Sequence, residues 1–409
     1  SVSSGNSYIE ALADNLNLSD ADTGKFILGD EQSSQVVSAQ IGMHSTSQGG
    51  YQNSDDDQAL AASESGAPEA ADNYMCCSCE CCSNARVGGD EDTNKFGFAP
   101  DAAALPTYTY DQIADQLTNG FGQWTGGLGD GQVDRYVLDS GNSLKVDITS
   151  LTYQGQILAT AALQSWTDVT GINFTFTDET FWWNDKADIF FDDNEDGAFA
   201  RGTGHTSTSF GWEIGRTKVN VSTDWIDGYF DGTNFDDYSF QTYIHEVGHA
   251  LGLGHAGNYN GSATYSVDNH YLNDSWQATV MSYMNQTENT YIDADYANVV
   301  SAQIADIIAI RDLYGLTDTN TGQRAGDTTY GENSTAGGIW DSFGNLTRPI
   351  TFTIFDEGGI DTVDLGSTTL AHTIDLRSEG ISSINGVVGN VMIARGTVLE
   401  NVESGSGSD

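Results

Sequence analysis

The stretch "TYIHEVGHALGLGHAGNYN" (residues 242–260) decides the fold of this chain. His245 and His249 are four residues apart, so on a helix both imidazoles lie on one face, one turn apart. Glycine readily adopts positive φ, so the helix can end at Gly252 and the chain can turn back to bring in His255 as a third ligand. Three imidazoles leave a coordination position open, which is typical of a catalytic zinc site.

Glu246 follows the first of these histidines and is placed to act as a general base on a water molecule. A bare His-Glu-x-x-His occurs by chance often enough to be only moderately specific. The extended form with Gly252 and His255 is far rarer, so we interpret the motif as a catalytic centre that binds one zinc ion. The histidines outside it are interpreted as ordinary polar residues: His44, His205, His270 and His372.

The composition is strongly acidic, with 59 Asp and Glu against 14 Lys and Arg and a net charge of -45. Such a surface repels nucleic acid and anionic membranes and suits salty water, so we expect no nucleic-acid partner and a marine or salt-tolerant setting. No apolar run is long enough to span a bilayer. We also expect a monomer.

Three segments differ in character. Residues 1–105 are polar and acidic, and we interpret them as a pro-segment. Residues 106–315 mix helical patterns, such as 108–124 and 301–315 with Gly315 as the stop, with short alternating strands. No regular βαβ repeat is present, so the predicted fold class is α+β. Residues 316–409 form a small all-β module with Gly/Asp turns.

One turn of this module, "FDEGGIDTVD" (355–364), places Asp356 and Asp361 around Gly358 and Gly359. Calcium prefers six to eight oxygen ligands, and carboxylate and backbone oxygens at such a turn can supply them. The sequence therefore predicts one or more structural calcium ions. Gly/Asp turns without calcium are the alternative.

The extended histidine motif is the metzincin signature, and "TVMSYM" (279–284) matches the Met-turn of that family. The chain resembles in particular the serralysins, the bacterial secreted branch, over about residues 106–409. Segments 163–176, 303–315 and 352–365 carry the same resemblance. Three features depart from the family: Ala256 in place of proline, Ile360 in place of a polar residue, and a long leader that contains cysteine.

This resemblance implies a zinc protease domain with a twisted mixed sheet and long helices, followed by the start of a calcium-binding parallel β-roll or β-sandwich module that continues past residue 409. It places Met281 beneath the zinc and makes Tyr283 both a possible extra zinc ligand and the oxyanion-stabilising residue. It also implies a partner loop at "QRAGDTTYG" (323–331), which together with the turn at 355–364 and Glu400 forms a calcium shell: Arg324, Gly326, Thr328, Asp356, Gly358, Gly359, Asp361 and Glu400.

The only five cysteines of the chain lie within the pro-segment, at Cys76, Cys77, Cys79, Cys81 and Cys82. A thiolate is a good zinc ligand, so one of them can occupy the open zinc position of a latent form. Disulfides within the cluster, a separate metal–thiolate site and a redox sensor are the alternatives. An acidic residue of the leader can also cap the zinc.

Two functions fit these features. The first is a secreted zinc endopeptidase, made as a latent proenzyme, that hydrolyses extracellular proteins and peptides. The second is a calcium-dependent matrix- or surface-binding protein whose metzincin-like domain is weakly active or inactive. The intact ligand triad and Glu246 favour the first, because a binding scaffold has no use for a general base.

Overall fold

The computed structural model describes residues 104–125, 134–177, 186–203, 206–208, 211–225, 235–316, 323–340 and 348–407. Almost all of the predicted pro-segment, with its five cysteines, lies outside the described residues, as do His44 and His205. None of the helices in the described ranges is both long enough and apolar enough to cross a membrane.

Several of the helices begin after a residue whose side chain accepts a hydrogen bond from a free backbone amide. They are α1 (Tyr110–Asp115), α2 (Phe121–Trp124), α3 (Tyr153–Thr170), α4 (Tyr238–Ala250) and α5 (Ile304–Leu313), with a π-helical turn, Gln116–Gly120, between α1 and α2 and a 3₁₀ turn at Thr223–Trp225. Thr109 forms a capping box with Gln112, and Thr152 accepts a bond from Gly155. Side-chain oxygens at these positions satisfy amides that have no partner within the helix.

The first eight strands form two sheets: β1 (Asp134–Arg135), β2 (Ser143–Ser150), β3 (Asn173–Phe176), β4 (Ile189–Asp192), β5 (Ala198–Thr203), β6 (Thr206–Thr208), β7 (Gly211–Glu213) and β8 (Arg216–Val221). A five-stranded sheet has the order β3-β2-β4-β8-β5 and supports the helices. All its neighbouring pairs are parallel except β5 with β8, which is antiparallel. A separate three-stranded sheet has the order β1-β7-β6.

The core lies between this sheet and helices α3 and α4. Trp166 of α3 is fully buried, and its indole Nε1 donates a 3.0 Å hydrogen bond to the carbonyl of Ile244 on α4. Phe191 of β4 stacks against Tyr243 of α4 with ring centroids 6.4 Å apart. Helix α4 is thus fixed on two sides, and it is the helix that carries the histidine motif.

The remaining strands form two sheets: β9 (Asn298–Val299), β10 (Thr329–Gly331), β11 (Ile350–Ile354), β12 (Thr362–Asp364), β13 (Ile381–Ile384), β14 (Val387–Ile393) and β15 (Asn401–Glu403). One sheet is parallel, in the order β10-β12-β15, and the other has the order β13-β14-β11-β9. Because β9 precedes α5 and pairs with β11, the two parts of the chain share a sheet. The predicted α+β class is confirmed, and the pairs of the C-terminal module are parallel except β13 with β14, which is antiparallel.

Candidate metal centre

Helix α4 places His245 and His249 on one face, with ring centroids 4.6 Å apart. Asp237 caps the helix, its side chain accepting from the amide of Tyr238 at 2.7 Å. Glu246 lies between the two histidines in sequence and is completely buried. The i,i+4 spacing therefore gives the geometry that the sequence predicted.

Gly252 turns the chain back after this helix. Its φ is +108°, and a Cβ atom there would lie 2.1 Å from the carbonyl oxygen of Asp134. Only glycine fits this conformation and this close approach. The turn returns His255 to the helix face, where its ring lies 4.6 Å from that of His249 and 5.5 Å from that of His245.

Each of the three imidazoles bonds to a backbone carbonyl through Nδ1. The partners are the carbonyls of Val280 for His245 (2.8 Å), Leu253 for His249 (2.7 Å) and Tyr259 for His255 (3.0 Å). A carbonyl can only accept, so Nδ1 carries the proton in all three rings and Nε2 presents a lone pair. Such bonds orient imidazoles that bind metals.

The three Nε2 atoms converge on one point. Nitrogens of the three rings all lie within 4.8 Å of one another. The Nε2 atoms of His249 and His255 are 3.0 Å apart, although both are acceptors. The Nε2 of His245 is buried and has no hydrogen-bond partner. A cation that accepts all three lone pairs would give the unpaired nitrogen a partner and would remove the contact between two acceptors. These residues therefore fit a zinc ion with nitrogen ligands.

Burial keeps these rings neutral. It lowers the pKa of His245 to about 4 and that of His249 to about 3, and it lowers the pKa of His255 well below the usual value. At neutral pH all three can therefore donate a lone pair to a metal without first losing a proton.

The Met-turn packs beneath the histidines. Met281 is fully buried, and its carbonyl accepts from the amide of Ala256, next to His255, at 3.2 Å. The ring of Tyr283 lies 4.5 Å from the ring of His255, and its hydroxyl accepts from the amide of Gly261 at 3.4 Å. The structure thus brings Met281 and Tyr283 to the same site as the three histidines.

The predicted calcium loops also meet. Gly358 and Gly359 have φ of +146° and +143°, and a Cβ atom at Gly359 would lie 2.5 Å from the carbonyl oxygen of Gly326. Asp361 Oδ1 accepts from the amide of Thr328 at 2.8 Å. The amide of Asp361 in turn donates to Glu400 Oε2 at 2.8 Å. The turn at 355–364, the loop at 323–331 and Glu400 therefore form one constellation.

The chemistry of this second constellation suits a hard cation. Asp361 Oδ2 is buried without a hydrogen-bond partner. Burial, together with the charges of Asp356 and Glu400, raises the pKa of Asp361 to about 6. A calcium ion would bind the unpaired oxygen of Asp361 and offset the repulsion between the three carboxylates. Among the residues that the structure describes, these carboxylates do not form a cluster as tight as that of the three histidines.

Two buried carboxylates beside the Met-turn were missed by the sequence reasoning. Asp306 of α5 accepts from the amide of Val280 at 2.8 Å and from the hydroxyl of Thr279 at 2.5 Å. Asp274 accepts from the hydroxyl of Ser282 at 2.7 Å. The one available signal is that Asp306 interrupts the apolar run "IADIIAI", where an acid is costly unless it is bonded.

Comparison with known families agrees with this site. A family model described as Matrixin matches residues 147–275, and one described as Peptidase M10 serralysin C terminal matches residues 319–409. The metal-binding histidine motif lies within the first match, and the candidate calcium loops lie within the second.

Curated relatives are similar over most of this chain. Metallopeptidase AprA of Pseudomonas marginalis is 33% identical over 326 residues, which cover 74% of this chain and 65% of the relative. Serralysin of Photorhabdus sp. (strain Az29) is 35% identical, over 61% of this chain and 51% of the relative. Serralysin B of Dickeya chrysanthemi is 31% identical, over 74% of this chain and 64% of the relative. The chain thus spans about half to two thirds of the length of these relatives.

Proposed function

The chain belongs to the serralysin-type metzincins, and from this premise we propose that it is a secreted zinc-dependent endopeptidase that hydrolyses peptide bonds in extracellular proteins. The observation that carries the proposal is the convergence of three neutral imidazoles, each fixed through Nδ1, together with a buried Glu246 on the helix that carries two of them. Zinc supplies two effects when bound: it lowers the pKa of water and polarises a carbonyl group.

Glu246 is the proposed general base and acid. Its carboxylate accepts a proton as a water oxygen forms a bond to the scissile carbonyl carbon. It then returns that proton to the amine nitrogen as the carbon–nitrogen bond breaks. Its complete burial in the helix that also carries His245 and His249 fixes its position relative to the ligands.

Tyr283 is the proposed oxyanion-stabilising residue. Its hydroxyl is held by a long, 3.4 Å bond from the amide of Gly261, and its ring is packed beside those of His255 and Tyr259. A tyrosine hydroxyl that donates to the developing negative charge stabilises the transition state. The same hydroxyl is a possible extra zinc ligand.

We further propose that the C-terminal module binds calcium through the constellation around Asp356, Asp361 and Glu400, and that the protein is made as a latent proenzyme. In the latent form one of the five cysteines between Cys76 and Cys82 binds the zinc. Replacing all five by serine tests the latency. A purified precursor that stays equally inactive contradicts the role of the thiol.

Casein hydrolysis by the processed protein tests the enzymatic function. We expect hydrolysis to be abolished by a chelator and restored by zinc, and to fall by about 10²–10⁴-fold in Glu246→Gln. The variant should still bind one zinc ion, because the three imidazoles are unchanged. A protein that binds zinc and calcium but hydrolyses nothing instead supports the calcium-dependent binding protein.

A further inference from the structure

Asp274 is a completely buried carboxylate in the segment between the third histidine and the Met-turn. Its carboxylate accepts hydrogen bonds from two hydroxyl groups that lie on different segments of the chain. Ser282 Oγ donates to its Oδ1 at 2.7 Å, and the hydroxyl of Tyr259 lies 3.2 Å from both Oδ1 and Oδ2. A carboxylate can only accept, so both hydroxyls direct their protons to Asp274.

Tyr259 connects this carboxylate to the candidate metal ligands. Its backbone carbonyl accepts from Nδ1 of His255 at 3.0 Å. Its hydroxyl, having donated to Asp274, accepts from the backbone amide of Tyr283 at 3.3 Å. One tyrosine therefore bonds to the ring of the third histidine through its main chain and to the backbone of Tyr283 through its side chain.

Ser282 closes the network from the other direction. It precedes Tyr283 in the chain, so its bond to Asp274 fixes the backbone next to the oxyanion-stabilising residue. Asp274 is itself held through its backbone carbonyl, which accepts from Nδ2 of Asn289 at 2.7 Å. The loop carrying His255 and the turn carrying Tyr283 thus share one buried anchor.

We propose that Asp274, acting through Tyr259 and Ser282, is a positioning residue that sets the placement of His255 relative to Tyr283. This inference rests on the proposed function, since it concerns the same zinc centre. Burying a carboxylate costs free energy, and the hydrogen bonds from two hydroxyl groups offset that cost here. An apolar residue at position 274 could not orient these hydroxyl groups. Burial also raises the pKa of Asp274 to about 6, against the lowering effect of the bonds from Ser282 and Tyr259.

Asp274→Asn and Tyr259→Phe test this role. In each variant we expect zinc affinity, measured by competition with a chromophoric chelator, to fall by about 10–100-fold. The visible absorption of the cobalt-substituted protein should change as the ligand geometry changes. For casein hydrolysis kcat should fall with KM nearly unchanged, because Tyr283 acts on the transition state. The double variant should lose little more than either single one, because both changes break the same network.

Asp193→Asn is the matched control. Asp193 is a buried carboxylate that accepts from the amide of Thr152 at 2.7 Å, at the start of α3 and outside the segment 255–283 that carries His255 and Tyr283. We expect this variant to lose thermal stability while its zinc affinity and cobalt spectrum stay unchanged. If Asp274→Asn does not fold, Tyr259→Phe, which keeps the ring and the carbonyl, carries the same expectations.

Variants of Asp274 and Tyr259 that lose thermal stability but keep wild-type zinc affinity, cobalt spectrum and kcat overturn the inference and leave the proposed function standing. A wild-type protein that binds no zinc overturns both.

Discussion

Gly248 on helix α4 faces the sulfur of Met281: a Cβ atom at residue 248 would lie 2.7 Å from Met281 Sδ and 3.0 Å from Cζ2 of Trp166. Both neighbours are fully buried. The Met-turn therefore packs closely against the helix that carries His245 and His249, because Gly248 has no Cβ atom to occupy that space.

Gly248→Ala should destabilise the protein. Overpacking costs about 1–3 kcal/mol, which exceeds the gain of about 1 kcal/mol from replacing glycine by alanine within a helix. Urea unfolding measures the change. Gly122→Ala is the control, because a Cβ atom at this helical glycine meets nothing within 4 Å and should leave stability equal or higher. Equal effects at the two positions contradict the packing argument.

An ion pair between Arg324 and Asp168 links the candidate calcium loop to helix α3. The two side chains are only 10% and 15% exposed. Asp168→Ala should lower the free energy of unfolding by about 1–3 kcal/mol, because it removes the carboxylate partner of a largely buried guanidinium. Chemical denaturation measures this change. Asp375→Ala, which breaks an exposed pair with Arg377, should have no measurable effect.

Asp306 should make stability depend on pH. Burial raises its pKa from 3.8 to about 6. The folded state thus holds this proton more tightly than the unfolded state does, and the contribution of Asp306 to stability falls as pH rises from about 4 to about 6. The two pKa values differ by about 2, which corresponds to about 3 kcal/mol.

The difference in unfolding free energy between wild type and Asp306→Asn isolates this effect, since all other carboxylates titrate in both proteins. We expect the wild type to lose stability relative to the variant between pH 4 and pH 6, with the difference constant above pH 7. A difference that is constant over the whole range shows that Asp306 does not titrate there.

Calcium should raise the melting temperature through the contact between the two loops. A Cβ atom at Gly359 would collide with the backbone of Gly326, so Gly359→Ala should abolish the calcium-dependent rise that the wild type shows over an EGTA-treated sample. Gly396→Ala is the matched control: its φ of +84° imposes similar strain, but nothing lies within 4 Å. Loss of the calcium effect in both variants points to strain alone.

Local patterns predicted the helices well. The spacing of His245 and His249 required a helix there, and α4 spans Tyr238–Ala250. Gly315 has φ of +69° just after α5, as a helix stop requires. The resemblance to the serralysins, drawn from short motifs, is confirmed by the family matches.

The order of the strands in the sheets could not be predicted from the sequence. β2 pairs with β3 and β4, and β8 lies between β4 and β5, although nothing in these short segments specifies which neighbours they have. Pairing depends on how the apolar faces are buried together, which is a property of the whole core. β9 and β11 pair in one sheet although the predicted domain boundary at residue 316 lies between them. This pairing too depends on how the core is buried.

The sequence by itself determined the candidate metal ligands, because the three histidines and Gly252 lie within eleven residues and helix geometry converts that spacing into convergence. Only the tertiary structure decided what holds them. Val280 is hydrogen-bonded to His245, 35 residues away in the sequence, and Asp274 is hydrogen-bonded to Tyr259, 15 residues away. Such contacts form when separate segments bury polar groups together. A buried carboxylate must then find donors wherever the folded chain places them, and residue spacing alone does not reveal those places.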